Sequence, residues 1–320
     1  MARELLSLGA MSVASPVSSS SIVMPRRGPA SGLALGLLAL SLAACAGVNH
    51  AAPRDRRPEV LAQPARAHRG GPARVVAYNI HGVDGDRLAA ALARSPVLEG
   101  ADLVLLSEVH AHGPCSDACV AGARLGMASA YAPGHVQDRG TEGVAILSRW
   151  PLSDVEVIDL PYHRVVVNSA PRVAIAATAM TGAGPVRVFA VHLDNRISPS
   201  ARVRQLAPVL DRARQWPGPV VIGGDFNTSP FSWLGALVPV PTGRQDDAVE
   251  AAVRRAGLTT PVTASGATSA WLNMRLDAIY TRGVAVRGLG VERDVRISDH
   301  LPLWADVVIG LDDVVGARTL

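Results

Sequence analysis

The chain has 320 residues, of which 48% are apolar and 18% charged, and its formal net charge at pH 7 is +4. This length suits one large domain or two small ones, and the apolar content is sufficient for a buried core. The positive charge suits phosphate-bearing partners, but arginines near the N-terminus contribute much of it, so charge alone does not identify a nucleic-acid-binding protein.

The N-terminal segment has the pattern of an export signal. Two adjacent arginines precede an uncharged run over 33–44, which is shorter than the about 20 apolar residues that span a bilayer. Residues 1–44 are therefore predicted to be a signal peptide. The charged segment of a signal peptide belongs just before the apolar run, and here it begins only after Met24, so Met24 is an alternative start of translation. The run ends in Leu-Ala-Ala-Cys, which resembles a bacterial lipobox and implies that Cys45 carries lipid. We expect an exported protein, either a membrane-anchored lipoprotein of the cell envelope or a secreted protein cleaved elsewhere.

The next segment, 45–72, is rich in proline and arginine and shows no apolar periodicity. This composition predicts a flexible tether. The catalytic domain is expected over 73–310, followed by a C-terminal tail over 311–320.

Two cysteines inside the predicted domain, Cys115 and Cys119, are close together beside a Gly-Pro pair. In an exported protein this spacing favours a local disulfide. The other interpretation, half of a zinc site, lacks a second cysteine pair to complete it.

Short β-type runs alternate with a few helical patterns along the domain. Asp86 is predicted to cap a first helix, Pro208 interrupts a second helical pattern over 200–215, and a third pattern over 246–256 ends before Gly257. Many neighbouring strands lack a helix between them, which argues against a simple doubly wound sheet. The predicted fold is α/β (α+β), a four-layer sandwich of two packed mixed β-sheets flanked by helices. The predicted strands are 74–78, 103–107, 143–147, 173–177, 186–191, 220–222, 278–280 and 303–307.

Polar residues stand at the ends of several of these strands, where the strand itself does not require them. Asn79, Glu108, His192 and Asp225 each follow an apolar run, and Asp299 stands just before the last strand. Strand ends are rigid platforms on which binding groups commonly lie. Carboxylate and amide oxygens suit a hard cation such as Mg²⁺, and histidines suit proton transfer.

The sequence around these positions resembles the ordered signatures of the endonuclease/exonuclease/phosphatase superfamily. Members include pancreatic deoxyribonuclease, abasic-site endonucleases, bacterial sphingomyelinases and inositol polyphosphate phosphatases. Each motif alone has an ordinary structural explanation, such as a turn or a solvated strand end, and it is their shared order that carries the resemblance. The matching segments are Ala-Tyr-Asn-Ile at 77–80, Leu-Ser-Glu-Val at 106–109, the run 142–149, Val-His-Leu at 191–193 followed by Arg204-Gln205, Gly-Asp-Phe-Asn at 224–227, Arg-Leu-Asp at 275–277 and Ser-Asp-His at 298–300.

The resemblance implies a role for each of these residues. Asn79, Glu108 and Asp299 would hold a divalent cation, expected to be Mg²⁺ with Mn²⁺ or Ca²⁺ as alternatives. The catalytic set would be His192, Asp225, Asn227, Asp277, His300 and Glu142, with Asp277 orienting His300 and Glu142 pairing with His192. Arg172 and Asn227 would contact the phosphate. Five other histidines have no match in these motifs and are interpreted as surface or structural residues: His81, His110, His112, His135 and His163.

The implied activity is metal-dependent hydrolysis of a phosphodiester by in-line attack of water. The pairing of His192 with Glu142 favours the deoxyribonuclease and sphingomyelinase branches, and the lack of a long apolar hairpin favours a nuclease. A phospholipid or sphingomyelin phosphodiesterase and an inositol-phosphate phosphatase are the alternatives, followed by a non-catalytic binding module. We expect a monomer whose partners are a phosphodiester, nucleic acid above all, and a membrane reached through the lipid anchor. Trp271 would stack on a base, insert into lipid or lie in the core.

Overall fold

The computed structural model describes residues 49–63, 72–165, 169–229, 231–234, 238–241, 246–259, 265–271 and 273–310. The predicted signal peptide, Cys45 and the predicted C-terminal tail lie outside these residues. None of the helices in the described part of the chain is long and apolar enough to cross a bilayer.

Fourteen strands and four helices make up this part of the chain. The strands are β1 (Glu59–Leu61), β2 (Ala73–Asn79), β3 (Leu103–Ala111), β4 (Ala128–Gln137), β5 (Gly140–Ser148), β6 (Leu152–Asp159), β7 (Val173–Thr181), β8 (Gly184–His192), β9 (Val220–Asp225), β10 (Phe231–Leu234), β11 (Val238–Pro241), β12 (Asp277–Arg282), β13 (Val284–Val291) and β14 (Leu303–Ile309). The helices are α1 (Gly85–Arg94), α2 (Asp117–Leu125), α3 (Pro199–Gln215) and α4 (Asp246–Arg255).

The strands form two large mixed sheets. One has seven strands in the order β1-β4-β5-β3-β2-β14-β13, and the other has five in the order β12-β9-β8-β7-β6. Each sheet contains one parallel pair, β2 with β3 and β8 with β9, while the remaining pairs are antiparallel. The short pair β10-β11 stands apart from both sheets.

The inner faces of the two sheets pack directly on each other. Leu105 and Ile146 of the seven-stranded sheet share a core with Ile175 and Val188 of the five-stranded sheet, and all four are fully buried. Burying one such side chain stabilises the fold by about 1.5–3 kcal/mol, so this double-sheet core is a major source of stability.

Helices cover both outer faces. Leu88 of α1 and Ala121 of α2 pack on the seven-stranded sheet. Leu206 of α3 and Val249 of α4 pack on the five-stranded sheet. The order of layers is therefore helix, sheet, sheet, helix, and the predicted four-layer sandwich is confirmed.

The helix ends follow ordinary capping chemistry with one difference from the prediction. Asp84, not Asp86, caps α1, because its carboxylate accepts a hydrogen bond from the backbone N–H of Arg87. Asp86 lies inside the first turn and forms an ion pair with Arg124 of α2. Pro208 lies inside α3 without ending it.

Residues 49–63 do not form the flexible tether that was predicted for this part of 45–72. β1 pairs with β4 at the edge of the seven-stranded sheet. The Asn49 side chain accepts hydrogen bonds from the backbone and hydroxyl of Ser169, and Glu59 accepts from the backbone and hydroxyl of Ser116. This stretch, called the N-terminal strap below, packs onto the domain through long-range contacts that local composition does not encode.

A disulfide joins Cys115 to Cys119 at the start of α2. It encloses Ser116, whose hydroxyl caps α2 by accepting from the backbone N–H of Cys119 and donates to Glu59. The bridge therefore lies where the strap meets the helix.

Candidate active site

The two parallel strand pairs end at the same edge of the sandwich. In the seven-stranded sheet, Asn79 ends β2 in register with Ser107 of β3, one residue before Glu108. In the five-stranded sheet, His192 ends β8 in register with Asp225, the last residue of β9. The Ser107 hydroxyl donates to the carbonyl of Val191 across the gap, which ties the two sheets together at this edge.

Asp225 lies at the centre of the site and is almost completely buried. Its Oδ2 accepts hydrogen bonds from the side-chain amides of Asn79 at 3.0 Å and Asn227 at 3.2 Å. The Nε2 atoms of His192 and His300 lie 3.6 Å and 3.8 Å from the same oxygen. Burial raises the pKa of Asp225 to about 7, against the opposing effect of the His300 charge.

The backbone before Asp225 explains why a glycine precedes it. Gly224 has a φ of +137°, and a Cβ there would lie 2.1 Å from the Val191 carbonyl oxygen of the neighbouring strand. Only glycine allows β8 and β9 to approach this closely at the site.

His300 and Asp277 form a buried pair. The Nδ1 atom of His300 lies 2.8 Å from Oδ2 of Asp277, the first residue of β12. Burial alone would lower the pKa of His300, but the carboxylates of Asp277 and Asp225 raise it to about 10. His300 therefore holds a proton on Nε2 as well, and that nitrogen faces Asp225. This is the pairing that the motif predicts.

Asn227 is turned inward rather than toward an open surface. Its amide nitrogen donates to the Leu193 carbonyl at 2.8 Å and to Asp225, and its backbone N–H donates to Asp225 Oδ1 at 2.8 Å. Both amide hydrogens are thus directed at protein acceptors. The structure gives Asn227 the geometry of a group that orients Asp225, whereas the sequence predicted a phosphate contact as well.

On the other side of Asp225, Asn79 and Glu108 lie together with a histidine. The Asn79 amide nitrogen donates to Glu108 Oε1 at 2.9 Å, and His81 Nδ1 lies 3.1 Å from Glu108 Oε2. Burial opposes ionisation of Glu108, but the hydrogen bonds from His81 and Asn79 outweigh it and hold the pKa of Glu108 below its usual range. The Asn79 amide oxygen accepts from the backbone N–H of His81, so in this structure Asn79 aligns its neighbours through both ends of its amide.

Asp299, the third predicted metal residue, stands at the rim of this group. Its Oδ1 lies 3.2 Å from the Ser298 hydroxyl oxygen and 3.7 Å from His81 Nδ1. Its side chain is 34% exposed, against 2% for Asp225. The Ser298 hydroxyl donates to the Asn79 carbonyl at 2.8 Å, which holds the loop of Asp299 against the end of β2.

His192 lies between two groups of side chains. Its Nε2 atom faces Asp225, and its Nδ1 atom lies 3.0 Å from Arg172 Nη1, which can only donate. Nδ1 is therefore the acceptor and Nε2 carries the proton. Burial and the Arg172 charge lower the pKa of His192 to about 3, so this histidine stays neutral.

Glu142 does not pair with His192 as predicted, because Arg172 lies between them. Its carboxylate lies 3.6 Å from Arg172 Nη1, 3.5 Å from His110 Nε2 and 3.7 Å from His135 Nε2. These four residues, called the Glu142 cluster below, come from β3, β4, β5 and the residue before β7. Arg172 is held by Glu142 and His192 instead of projecting freely toward a phosphate.

The motif pair Arg204-Gln205 lies on α3, next to a buried arginine that the motif does not include. Arg204 is exposed, whereas Arg202 is fully buried and donates to the carbonyls of Asp194 and Ile197. Gln205 accepts from the Asp194 backbone N–H, as the Arg-x-x-Gln spacing on one helical face allows. Arg202 and Gln205 thus fix the loop after His192.

Three histidines interpreted as surface or structural residues touch the carboxylates of the site. His81 contacts Glu108, while His110 and His135 contact Glu142. A signal for His81 was present, since it lies two residues after Asn79 and before a glycine. His110 carried a similar signal, two residues after Glu108 on the same face of β3. His135 is brought to Glu142 only by the pairing of β4 with β5, which no local pattern encodes.

The donor atoms in the site fit a divalent cation. The carboxylates of the site lie close together: Glu108 and Asp225 belong to one group with His192, and Asp225 and Asp277 to another with His300, and within each group the possible ligand atoms lie within 4.8 Å of one another. The two imidazoles hold their protons in this structure, so the carboxylates are the donors that a cation would meet. Asp277 Oδ1 is buried without a hydrogen-bond partner. The raised pKa of Asp225 reflects a buried carboxylate whose charge is not fully balanced by protein groups. Carboxylate oxygens of this kind are the ligands that Mg²⁺ and Mn²⁺ prefer.

Comparison with known proteins gives this geometry a context. The sequence model of the Endonuclease/Exonuclease/phosphatase family matches residues 76–300, a range that contains every strand-end residue described above. No curated protein sequence matches the chain significantly.

Solved structures share the fold. An endonuclease/exonuclease/phosphatase from Beutenbergia cavernae has a TM-score of 0.59 and 22% identity, over 75% of this chain and 72% of that chain. A family protein from Leptotrichia buccalis has a TM-score of 0.58 and 17% identity, over 74% and 100%. The human Nocturnin catalytic domain has a TM-score of 0.55 and 19% identity, over 80% and 99%. At these identities the similarity concerns the fold.

Proposed function

The chain belongs to the endonuclease/exonuclease/phosphatase family, and we propose that it is a divalent-metal-dependent phosphodiesterase, a nuclease of the deoxyribonuclease type. One observation carries the proposal. The buried carboxylate of Asp225 lies between the protonated His300, fixed by Asp277, and the carboxylate of Glu108. A buried base beside a fixed cationic donor is the arrangement that in-line attack of water on a phosphodiester requires.

In this mechanism Asp225 accepts a proton from the attacking water. Its pKa of about 7 suits a general base at neutral pH. The amides of Asn79 and Asn227 hold its Oδ2, so the carboxylate does not need to reorganise during the reaction.

The two histidines act as donors in the proposal. His300 keeps its proton, because its pKa is raised to about 10, and donates from Nε2 to a nonbridging phosphate oxygen. His192 stays neutral and presents its Nε2–H on the other side, with Arg172 fixing the tautomer. Both donors are positioned where negative charge develops in the transition state.

Glu108 and Asn79, with Asp299 at the rim, are the proposed holders of the cation. When bound there, a divalent cation supplies positive charge that offsets the charge developing on the phosphate. Mg²⁺ is the expected ion, with Mn²⁺ and Ca²⁺ as the alternatives.

A nucleic acid is the proposed substrate, and Trp271 supports this choice. Its side chain is 80% exposed, which contradicts the alternative of a buried core tryptophan. The backbone N–H of its neighbour Ala270 donates to the carbonyl of Asp299, so Trp271 stands beside the site. An exposed indole can stack on a nucleobase. The same exposed indole favours a second candidate, hydrolysis of a phospholipid or sphingomyelin headgroup, because tryptophan also inserts into membrane interfaces.

The test is turnover of four substrates by the purified full-length chain: plasmid DNA, RNA, sphingomyelin vesicles and inositol phosphates, each with Mg²⁺ and with EDTA. We expect cleavage of DNA or RNA that EDTA abolishes. Asp225→Asn and His300→Ala should lower kcat by about 10²–10⁴-fold, the range for loss of a general acid or base. Asp86→Asn, which removes an exposed carboxylate paired with Arg124, is the matched control and should retain activity.

Hydrolysis of the lipid alone would select the second candidate, and release of inorganic phosphate from inositol phosphates would select a phosphatase. No turnover of any substrate in the presence of Mg²⁺, or equal rates for Asp225→Asn and the parent chain, would remove the proposed activity.

Export, lipid attachment at Cys45 and a monomeric state complete the proposal. The support for export and lipidation is the sequence pattern over 1–45. A Cys45→Ser variant that still partitions with membranes would argue against lipidation, and size-exclusion chromatography with light scattering tests the monomer.

A further inference from the structure

His81 is held in an unusual backbone conformation at the edge of the site. Its φ is +49°, in the left-handed region. Hydrogen bonds fix the backbone on both sides, from the Ile80 N–H to the Ser107 carbonyl and from the Gly82 N–H to the Glu108 carbonyl. The Asn79 side chain accepts from the His81 N–H itself. Left-handed conformations of non-glycine residues cost free energy and tend to persist where surrounding contacts determine them.

This backbone directs the imidazole at the two carboxylates assigned to the cation. His81 Nδ1 lies 3.1 Å from Glu108 Oε2 and 3.7 Å from Asp299 Oδ1. The side chain is 66% exposed, so burial does not force it against these groups. A flexible surface histidine would not need three backbone hydrogen bonds around it to reach this position.

The distance from His81 Nδ1 to Glu108 Oε2 fits the ligand shell of a metal ion. Two donor atoms about 2.1–2.2 Å from an octahedral ion, at right angles to each other, are about 3.1 Å apart. The separation of His81 Nδ1 from Glu108 Oε2 has this value. In this structure Nδ1 holds a proton that it donates to Glu108, and this contact raises the pKa of His81 to about 9. A cation bound here takes the place of that proton, which is released to solvent. The neutral imidazole nitrogen that results is a better ligand for first-row transition ions than for Mg²⁺, which prefers oxygen.

We propose that His81 Nδ1 is a direct ligand of the divalent cation, adjacent to Glu108, and that this nitrogen shifts the preference of the site from Mg²⁺ toward Mn²⁺ and Co²⁺. The inference rests on the proposed metal-dependent function. It adds a residue to the set Asn79, Glu108 and Asp299, and it predicts a metal preference that an all-oxygen site would not have.

Direct ligation can be detected without an activity assay. Electron spin echo envelope modulation of Mn²⁺ bound to the full-length chain reports ¹⁴N nuclei coordinated to the ion. We expect a nitrogen coupling in the parent chain that disappears in His81→Ala. The matched control is His112→Ala, which removes an exposed histidine near His110 and should leave the coupling unchanged.

Affinity gives the second readout. In isothermal titration, His81→Ala should weaken Mn²⁺ binding by about tenfold or more, since loss of a group that merely supports a ligand already costs about 10–100-fold. Mg²⁺ affinity should change less. His81→Asp replaces the nitrogen with a hard oxygen donor, and aspartate, like histidine, tolerates a positive φ. This variant should restore Mn²⁺ binding and should raise the ratio of Mg²⁺ affinity to Mn²⁺ affinity.

The outcomes separate this inference from the function on which it rests. If the parent chain binds Mn²⁺ and hydrolyses a phosphodiester, but His81→Ala keeps the nitrogen coupling and the Mn²⁺ affinity, ligation by His81 is overturned and the function stands. A coupling that is lost in His192→Ala instead assigns the nitrogen to that residue and also overturns the inference. If the parent chain binds neither Mn²⁺ nor Mg²⁺, both the metal-dependent function and ligation by His81 are overturned.

Discussion

His192 separates two polar regions of different construction. Its Nε2 faces Asp225, and its Nδ1 faces Arg172 of the Glu142 cluster. Asp225 forms, with Asn227, His300 and Asp277, a group called the Asp225 cluster below. The Asp225 cluster is built mainly from residues at the ends of β9 and β12. The Glu142 cluster is assembled from strands of the other sheet together with Arg172. The first region presents groups to the reacting atoms, whereas the second acts through Arg172 on one histidine.

The largest expected effect follows from removing the charge behind His300. Asp277→Asn would leave Nδ1 of His300 without its carboxylate and would lower the pKa of the ring toward its ordinary value. We expect kcat to fall by about 100-fold or more, with a smaller change in KM, because the donor role belongs to the transition state. The measurement is steady-state kinetics across pH. A loss of less than about threefold would show that His300 works without Asp277, contrary to the pairing described here.

A smaller loss is expected on the other side of His192. Glu142→Gln removes the carboxylate that faces Arg172, His110 and His135, and these groups support His192 without reaching the substrate. We expect about a tenfold loss of kcat, the lower end of the range for outer-shell partners of a functional group. ¹⁵N NMR of the His192 ring should show a mixed tautomer.

A loss of activity in Glu142→Gln as large as that in Asp277→Asn, with an unchanged His192 tautomer, would contradict this division. It would mean that Glu142 contacts the reacting groups directly. Gln retains the size of Glu, so lost packing would not explain such a result.

The same division explains what the sequence could predict. All eight predicted strands lie within observed strands, and Asn79, His192 and Asp225 lie together because three central strands end at one edge. Glu108, predicted to follow a strand, lies inside β3, where its φ is +53° and the pairing with β5 shifts register. The motifs predicted a residue's position correctly where that position depends only on the strand that carries the residue. β4 escaped prediction because Pro133 and Gly134 interrupt its pattern, although it pairs along its length with β5.

Long-range packing was beyond the local sequence signals. The pairing of His135 with Glu142, the position of Arg172 between Glu142 and His192, and the docking of the strap all depend on strands distant in sequence. The strap residue His50 illustrates the point, since its ring lies 4.7 Å from that of His135. Composition alone had assigned this stretch to a flexible tether.

The two regions should make folding stability depend on pH with opposite sign. The buried His135 should destabilise the fold in acid, and loss of the His300 proton should destabilise it in alkali. Burial lowers the pKa of His135 from 6.5 to about 4, so an unfolded chain binds a proton between these values that the folded chain does not. Stability should therefore fall as pH drops from about 6.5 to 4, by up to about 3 kcal/mol at about 1.4 kcal/mol per pKa unit. His300 has the opposite sign: its contribution is complete below pH 6.5 and is lost as pH rises toward 10.

Urea denaturation in EDTA across pH 4–10 measures both effects. His135→Gln should flatten the acid side of the stability profile and His300→Gln the alkaline side. If His135→Gln leaves the acid side unchanged, burial of a neutral His135 does not contribute to the acid sensitivity.

The smallest effect on activity is expected from the strap, the most distant support of the Glu142 cluster. Glu59 fastens β1 to the start of α2, because its carboxylate accepts from the Ser116 N–H and hydroxyl at 3.0 Å and 2.8 Å. Glu59→Gln should cost about 1.5 kcal/mol of stability, the low end of the range for hydrogen bonds to charged groups, because Glu59 is partly exposed. Activity should change by less than about threefold, since the path of contacts from His50 of the strap to His192 passes through several side chains.

Urea denaturation and limited proteolysis of the strap test this expectation, with Asp138→Asn as the control at an exposed carboxylate on the turn between β4 and β5. We expect Glu59→Gln to be cleaved faster within 49–63 and to keep a nearly normal kcat. The strap would then be the support farthest from His192 in the series of contacts through His50, His135 and Glu142. A tenfold loss of kcat, equal to that of Glu142→Gln, would instead make the strap a direct determinant of the site. The strap would then be part of the catalytic domain in function as well as in packing.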